Sequence, residues 1–255
     1  MLYFPDKDLR RTPASAGLPY EDLDFVAADG VALHGWFVPA QAPSRASGRA
    51  LLLSHGNAGN ISDRIEWLRM LHRGLDAHVL IYDYRGFGRS EGDPDEEGLY
   101  LDAEAALAAL HARPEVDPAK IVIGGRSLGG GVTAELALRA IAAGRPPGGV
   151  VLESTFTSIG VMVAVVFPVP SALGHLVRTR FDNLAKAPRI AAAGVPIVVV
   201  HGGADELIPV EMGVRLARAA GVEAVIIERG GHNDAWFVGG ERSYLPPLRG
   251  LLEGL

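Results

Sequence analysis

The sequence predicts an α/β protein built on a mostly parallel, doubly wound sheet of about eight strands. Short β-branched apolar runs such as Ile121-Val122-Ile123 recur along the chain, as in strands covered on both faces. Amphipathic or alanine-rich helical stretches separate them. Polar, glycine-rich loops (HGN, YRGFG, GRSLGG, HGGAD and GGHND) follow or lie near the strands' carboxyl ends. In an open parallel sheet that edge is where ligands bind.

In chain order, the first residues, through about Pro19, are Pro-rich and polar and are expected to wrap the surface. Leu23 to Ala27 and Val31 to Val38 are strand-like and meet at Asp29-Gly30, a two-residue hairpin signal, so an antiparallel hairpin opens the sheet. Ala40 to Arg49 is a Pro/Ser/Gly loop. Ala50 to Ser54 is a buried strand, and Ile61 to Arg73 an amphipathic helix with Ile61, Ile65 and Leu68 on one side. His78 to Tyr84 is the next strand and Glu97 to Ala112 the next helix. After the strand at Ile121 to Ile123, a helical pattern runs from about Gly131 to Ala143. Val150 to Glu153, Pro196 to Val200 and Glu223 to Glu228 read as strands, with helices at Val210 to Ala220 and near the C terminus. Residues 1–255 are expected to form one domain, with a small helical cap inserted at about 155–188.

At 255 residues, 48% hydrophobic and 21% charged, the chain has material for a sizeable core. The net charge of -6 argues against a nucleic-acid partner. The absence of cysteine excludes disulfides, thiolate metal sites and a cysteine nucleophile. No HExxH motif is present, so no metal is expected. Gly86-x-Gly88 is followed by Gly92 and Pro94, so no helix opens there as a dinucleotide fingerprint requires. The turn at residues 124–130 lacks the lysine of a P-loop. MLYFPDKDLRR does not read as a signal peptide. The most apolar stretch, Ile159 to Leu173, is broken by Pro168 and Pro170 and is too short to span a bilayer. A cytoplasmic protein is expected, with peripheral membrane contact if an N-terminal anchor is missing from this chain.

The chemistry centres on Gly125-x-Ser127-x-Gly129, which sits between a strand and a helix. This is the context of a nucleophile elbow, where a sharp turn lifts a serine above the sheet and side chains at the flanking positions would collide. Asp205 follows the strand Pro196 to Val200, and His232 follows Glu223 to Glu228. An imidazole can take the serine proton and return it to the leaving group, while a carboxylate fixes its tautomer. Asp83 and Glu153, at other strand ends, are rival acids, and Asp234 is expected to cap the final helix. His55 and His201 are expected to be structural partners at strand ends. An oxyanion hole needs two backbone N–H donors, expected from Leu128 and from Asn57, with Ala58 second.

Taken together, HGNAGN (55–60), YDYRGFGRSEG (82–92), GRSLGG (125–130), HGGADELIP (201–209) and GGHND (230–234) resemble the α/β-hydrolase-domain serine hydrolases. The nearest branch holds protein depalmitoylases, lysophospholipid and monoacylglycerol hydrolases and bacterial relatives. The resemblance implies the α/β-hydrolase fold, a triad of Ser127, Asp205 and His232, no cofactor, and cleavage of an ester or thioester. It makes YRGFGRS a structural loop, with Arg85 in internal ion pairs. In the cap, Met162, Val166 and Phe167, with Val165, Val169 and Leu173, are candidates to line an acyl pocket, and Arg178 and Arg180 to meet an anionic head group. The expected function is a serine esterase acting through an acyl-serine on a small-molecule or lipid ester. A thioesterase, lysophospholipase or monoacylglycerol lipase is the alternative. A non-catalytic ligand-binding protein of the same fold is the rival of another class, and an intact triad opposes it.

Overall fold

The computed structural model describes residues 3–42, 47–166 and 180–255. Its sheet comprises β1 (Glu21–Val26), β2 (Ala32–Val38), β3 (Ala50–Ser54), β4 (His78–Tyr82), β5 (Ile121–Arg126), β6 (Gly149–Glu153), β7 (Ile197–Gly202) and β8 (Ala224–Ile227). These eight strands lie in the order β1-β2-β4-β3-β5-β6-β7-β8. β2 is antiparallel to both β1 and β4, and all other pairings are parallel. The Asp29-Gly30 signal marks the opening turn, but the turn is longer than the two residues expected. The Ala27 N–H donates to Val31 O and the Gly30 N–H to Ala27 O, both at 2.9 Å, so Ala28 joins Asp29 and Gly30 in the loop. Gly30 closes it at φ +90°, a left-handed position that glycine occupies without a steric penalty.

The helices are α1 (Ile65–Gly74), α2 (Glu96–His111), α3 (Leu128–Ala142), α4 (Ile159–Val166), α5 (Asn183–Ala192), α6 (Val210–Ala219), α7 (Ala235–Ser243) and α8 (Leu245–Glu253). Alternation along each strand divides the core between the two faces of the sheet. Ala50 and Leu52 of β3 point to a core shared with α2, α3, α5 and α6, while Leu51 and Leu53 point to one shared with α1, α7 and α8. β3, β4, β5 and β6 are buried at every position, which explains their unbroken apolar runs. Of the expected cap, α4 and the first part of α5 are described, and residues 167–179 lie outside the described residues.

Two helix starts differ from expectation. The Ile61 segment begins as a 3₁₀ turn, Ile61–Arg64, before α1. Asn60 and Asp63 close it reciprocally, the Asn60 side chain accepting from the Ser62 N–H and Asp63 from the Asn60 N–H. α3 begins at Leu128, not near Gly131, and so takes in three glycines that a helix interior normally penalises. Packing accounts for them. A Cβ on Gly129 would lie 1.9 Å from Ser54 O, one on Gly130 2.5 Å from Thr155 Cβ, and one on Gly131 2.7 Å from Phe181 Cδ1. The glycines let α3 press against the end of β3, the loop after β6 and the segment ahead of α5. Gly129→Ala is therefore expected to destabilise the protein by about 3 kcal/mol, because the collision is with backbone and no rotamer relieves it. Urea denaturation of the purified variant checks this, and an unchanged midpoint would refute the contact.

Candidate active site

The parallel register brings the ends of β3, β5, β6 and β7 to one edge, with Ser54 beside Gly125, Arg126 beside Glu153 and Glu153 beside Val200. Ser127 is the first residue past β5 and sits at φ +55°, ψ -116°. A non-glycine residue there stores about 1–3 kcal/mol of strain. The turn is held by three hydrogen bonds. The Ser127 N–H donates to Glu153 O (2.9 Å), and its carbonyl accepts from the Gly130 N–H (3.1 Å) and from Thr155 Oγ1 (2.6 Å). Leu128, as the first residue of α3, has an N–H that the helix cannot satisfy, and the positive end of the helix dipole lies there too.

Asp205 and His232 lie on the loops after β7 and β8. His232 Nδ1 donates to Asp205 Oδ2 at 2.9 Å. The other carboxylate oxygen accepts the N–H groups of Leu207 (2.9 Å) and Ile208 (2.8 Å). Burial opposes the charge on Asp205, but hydrogen bonds from His201, His232 and Ile208 outweigh it and hold the carboxyl well below its ordinary range. An ionised carboxylate only accepts, so the neutral imidazole carries its proton on Nδ1 and leaves the Nε2 lone pair available. Glu206 accepts the His232 N–H at 3.1 Å and steadies the loop. His201 donates from Nε2 to Ile208 O (2.9 Å) and lies 3.4 Å from Asp205 Oδ2.

The loop after β3 runs over the same edge. Ala58 and Gly59 adopt φ +72° and +69°. The Ala58 N–H, the second choice as oxyanion donor, is taken by Asn57 Oδ1 at 3.0 Å. The same oxygen accepts the Phe4 N–H at 3.1 Å. Gly59 N–H donates to Phe4 O and Asp6 N–H to Gly59 O, both at 3.1 Å, so residues 4–6 form a strap along the loop.

Ser127, Leu128, His232 and Asn57 all line one cavity of about 620 Å³. Phe4, Phe156, Ile159, Met162 and Leu207 form its apolar wall. Of the expected pocket residues, Met162 is there; the side chains of Val165 and Val166 and all of Phe167, Val169, Leu173 and Arg178 lie outside the described residues. Arg180 does not line the cavity: its carbonyl accepts the Ile159 N–H at 3.1 Å and its own N–H donates to Glu96 Oε2 at 2.6 Å. Arg64, Arg126 and Asn233 line the cavity without having been singled out from the sequence. Arg126 lies inside the serine motif, but nothing local marks which way its side chain turns. Arg64 belongs to a helix start that reads as ordinary surface.

The rival acids are placed elsewhere. Glu153 is buried behind the serine and accepts from the Tyr244 hydroxyl, which in turn accepts from Trp67 Nε1 (2.9 Å). Burial pushes its carboxyl up. Asp83 is buried against the Ile61 N–H (2.9 Å) and is pushed up to about 7 by burial, while burial takes His55, 3.6 Å away, down to about 3. Asp234 precedes α7, but its carboxylate turns back to the Gly231 N–H (2.6 Å) and makes no cap bond to the helix. Arg85 is bound by Asp29 (2.7 Å) and Asp102 (2.8 Å).

The profile of the Alpha/beta hydrolase family matches residues 51–242. An uncharacterized protein of Mycobacterium tuberculosis (strain H37Rv) is 37% identical over 99% of this chain and 86% of its own length. The alpha/beta hydrolase domain-containing protein WAV2 of Arabidopsis thaliana is 35% identical over 90% of this chain and 78% of its own. Among solved structures, the Pyrococcus furiosus esterase Pf2001 superposes with a TM-score of 0.75 over 98% of both chains at 20% identity, a likeness of fold. Among the described residues no helix is long and apolar enough to cross a membrane.

Proposed function

Because this chain belongs to the alpha/beta hydrolase family, we propose that it is a serine hydrolase cleaving carboxylic esters through an acyl-Ser127 intermediate. The observation that carries this reading is the His232 Nδ1 to Asp205 Oδ2 hydrogen bond beside the cavity that also holds the strained Ser127. With Nδ1 committed, Nε2 is the base. It takes the proton as Ser127 Oγ attacks the ester carbonyl, and returns it to the departing alkoxide as the C–O bond breaks. Water, deprotonated by the same nitrogen, then hydrolyses the acyl-serine. The oxyanion of each tetrahedral intermediate is assigned to the N–H groups of Leu128 and Asn57. The buried Asp205 offsets the imidazolium charge that forms in both steps. The apolar wall suits a short or medium acyl chain, and a thioester fits the same machinery.

Fluorophosphonate labelling followed by 4-nitrophenyl esters of increasing chain length tests the proposal. The wild-type protein is expected to label and to show an ester burst, and Ser127→Ala to do neither. A folded wild type that neither labels nor turns over any activated ester overturns the proposal in favour of a ligand-binding protein.

A further inference from the structure

We propose that the ester accepted by this site carries an anionic oxygen group, a carboxylate or a phosphate, bound by Arg126 and Arg64. The inference rests on the hydrolase reading above and names its substrate class. Arg126 directly precedes Ser127, is 4% exposed, and lines the cavity. Its contacts are weak for a buried cation. One Nη2 lies 3.4 Å from Asn233 Oδ1, the guanidinium sits 5.6 Å above the Trp67 ring, and Nε has no hydrogen-bond partner. Arg64 lines the same cavity, donates from Nη2 to Ala58 O at 2.7 Å, and also has a buried Nε without a partner.

Among the described residues, neither arginine has a carboxylate within the 4.0 Å of an ion pair. Asp63 shares the cavity, yet its carboxylate is engaged by the Asn60 N–H at 3.0 Å. Glu153 lies buried near Arg126 and is bound to Tyr244. Two other enclosed arginines are treated differently. Arg85 is paired with Asp29 and Asp102, and Arg139 with Glu97, Glu104 and Glu135. A charge taken out of water needs a partner. At the cavity wall that partner is supplied by what enters. Burial, and next the positive charge of Arg126, bring Arg64 down to about 10, so the two guanidiniums act on each other and on the space between them.

A guanidinium fork suits planar carboxylate and phosphate oxygens. Phe156, Ile159 and Met162 supply an apolar wall in the same cavity. The substrate is thus an ester with an apolar part and an anionic part. The protein's net charge of -6 repels anions at a distance, which makes the arginine pair a local recognition feature.

Esters matched in size test this. They are 3-(butanoyloxy)propanoate and 2-(butanoyloxy)ethyl phosphate, with the anion on the alcohol side; monobutyl succinate, with it on the acyl side; and neutral 3-methylbutyl butanoate. At least one anionic ester is expected to exceed the neutral one in kcat/KM by tenfold or more, and the best of them identifies carboxylate or phosphate. Arg126→Gln and Arg64→Gln should each lower that ratio at least fivefold, with Arg126→Lys intermediate. If one Gln variant does not fold, the other supplies the comparison. Equal kcat/KM for all four esters, or a preference that survives both Gln changes, overturns the anion site and leaves the hydrolase standing. Calorimetric binding of the same esters to Ser127→Ala repeats the comparison without turnover. Selective binding of anions with no hydrolysis by wild type keeps the anion site and removes the hydrolase. Indifferent binding removes the anion site.

Discussion

Ser127→Ala is expected to lower ester kcat/KM by about 10⁴-fold or more, since the remaining oxyanion donors and binding wall cannot supply a nucleophile. Its thermal midpoint should stay near that of wild type, because the backbone bonds of the elbow do not involve Oγ and an alanine at φ +55° is strained as the serine is. Ser127→Gly separates the two properties. It should be as inactive as the alanine variant, yet more stable than wild type by about 1 kcal/mol, as glycine accepts a positive φ without a Cβ clash. Kinetics and urea denaturation on the three proteins check both halves. A glycine variant that is less stable than the alanine one would show that the elbow is not strained.

The second large effect is expected at Asp205. Asp205→Asn should lower kcat by about 10⁴-fold, because an amide no longer selects the Nδ1–H tautomer of His232. The change also disturbs the loop. One Asp205 oxygen receives the N–H groups of Leu207 and Ile208 and the other faces His232 and His201. An asparagine must turn its NH₂ toward one of these donor sets. The depressed carboxyl also makes stability depend on pH. The folded value lies below the unfolded one, so this contribution is complete above about pH 4 and is lost as pH falls through the folded value. Wild type should therefore lose more stability between pH 7 and pH 3 than Asp205→Asn does. Urea midpoints at the two pH values decide it, and parallel losses in the two proteins would count against the assigned charge.

Both results concern residues that were visible in the sequence, and the reason is physical. Parallel strands buried on both faces write themselves as apolar runs, so β3, β5 and β6 could be located and the loops at their ends followed. Ser127 directly follows β5, and Asp205 and His232 stand in the loops after β7 and β8. The start of α3 was less legible, since glycine propensity argues against helix while close packing on Ser54, Thr155 and Phe181 demands it. The pairing of β2 with β4 depends on the order of strands across the sheet, which no local pattern encodes. Arg64 and Arg126 are separated along the chain and meet only through that topology. The strap formed by Phe4 and Asp6 was equally hidden, as its contacts with Gly59 join backbone groups and carry no side-chain signature.

That strap has a practical consequence for how the molecule is held. Phe4 lines the cavity and is 58% exposed, and its own backbone is pinned to Asn57 and Gly59. Whatever is joined upstream of it is tethered a few residues from the mouth, at roughly 3.5 Å of reach per residue. The other terminus lies across the sheet, where the Leu255 side chain packs against Gly148, just ahead of β6. An affinity tag or an immobilising linker at the N terminus would hang in the path of entering substrate and turn the opening toward its support. The same attachment at the C terminus would leave the opening facing solution.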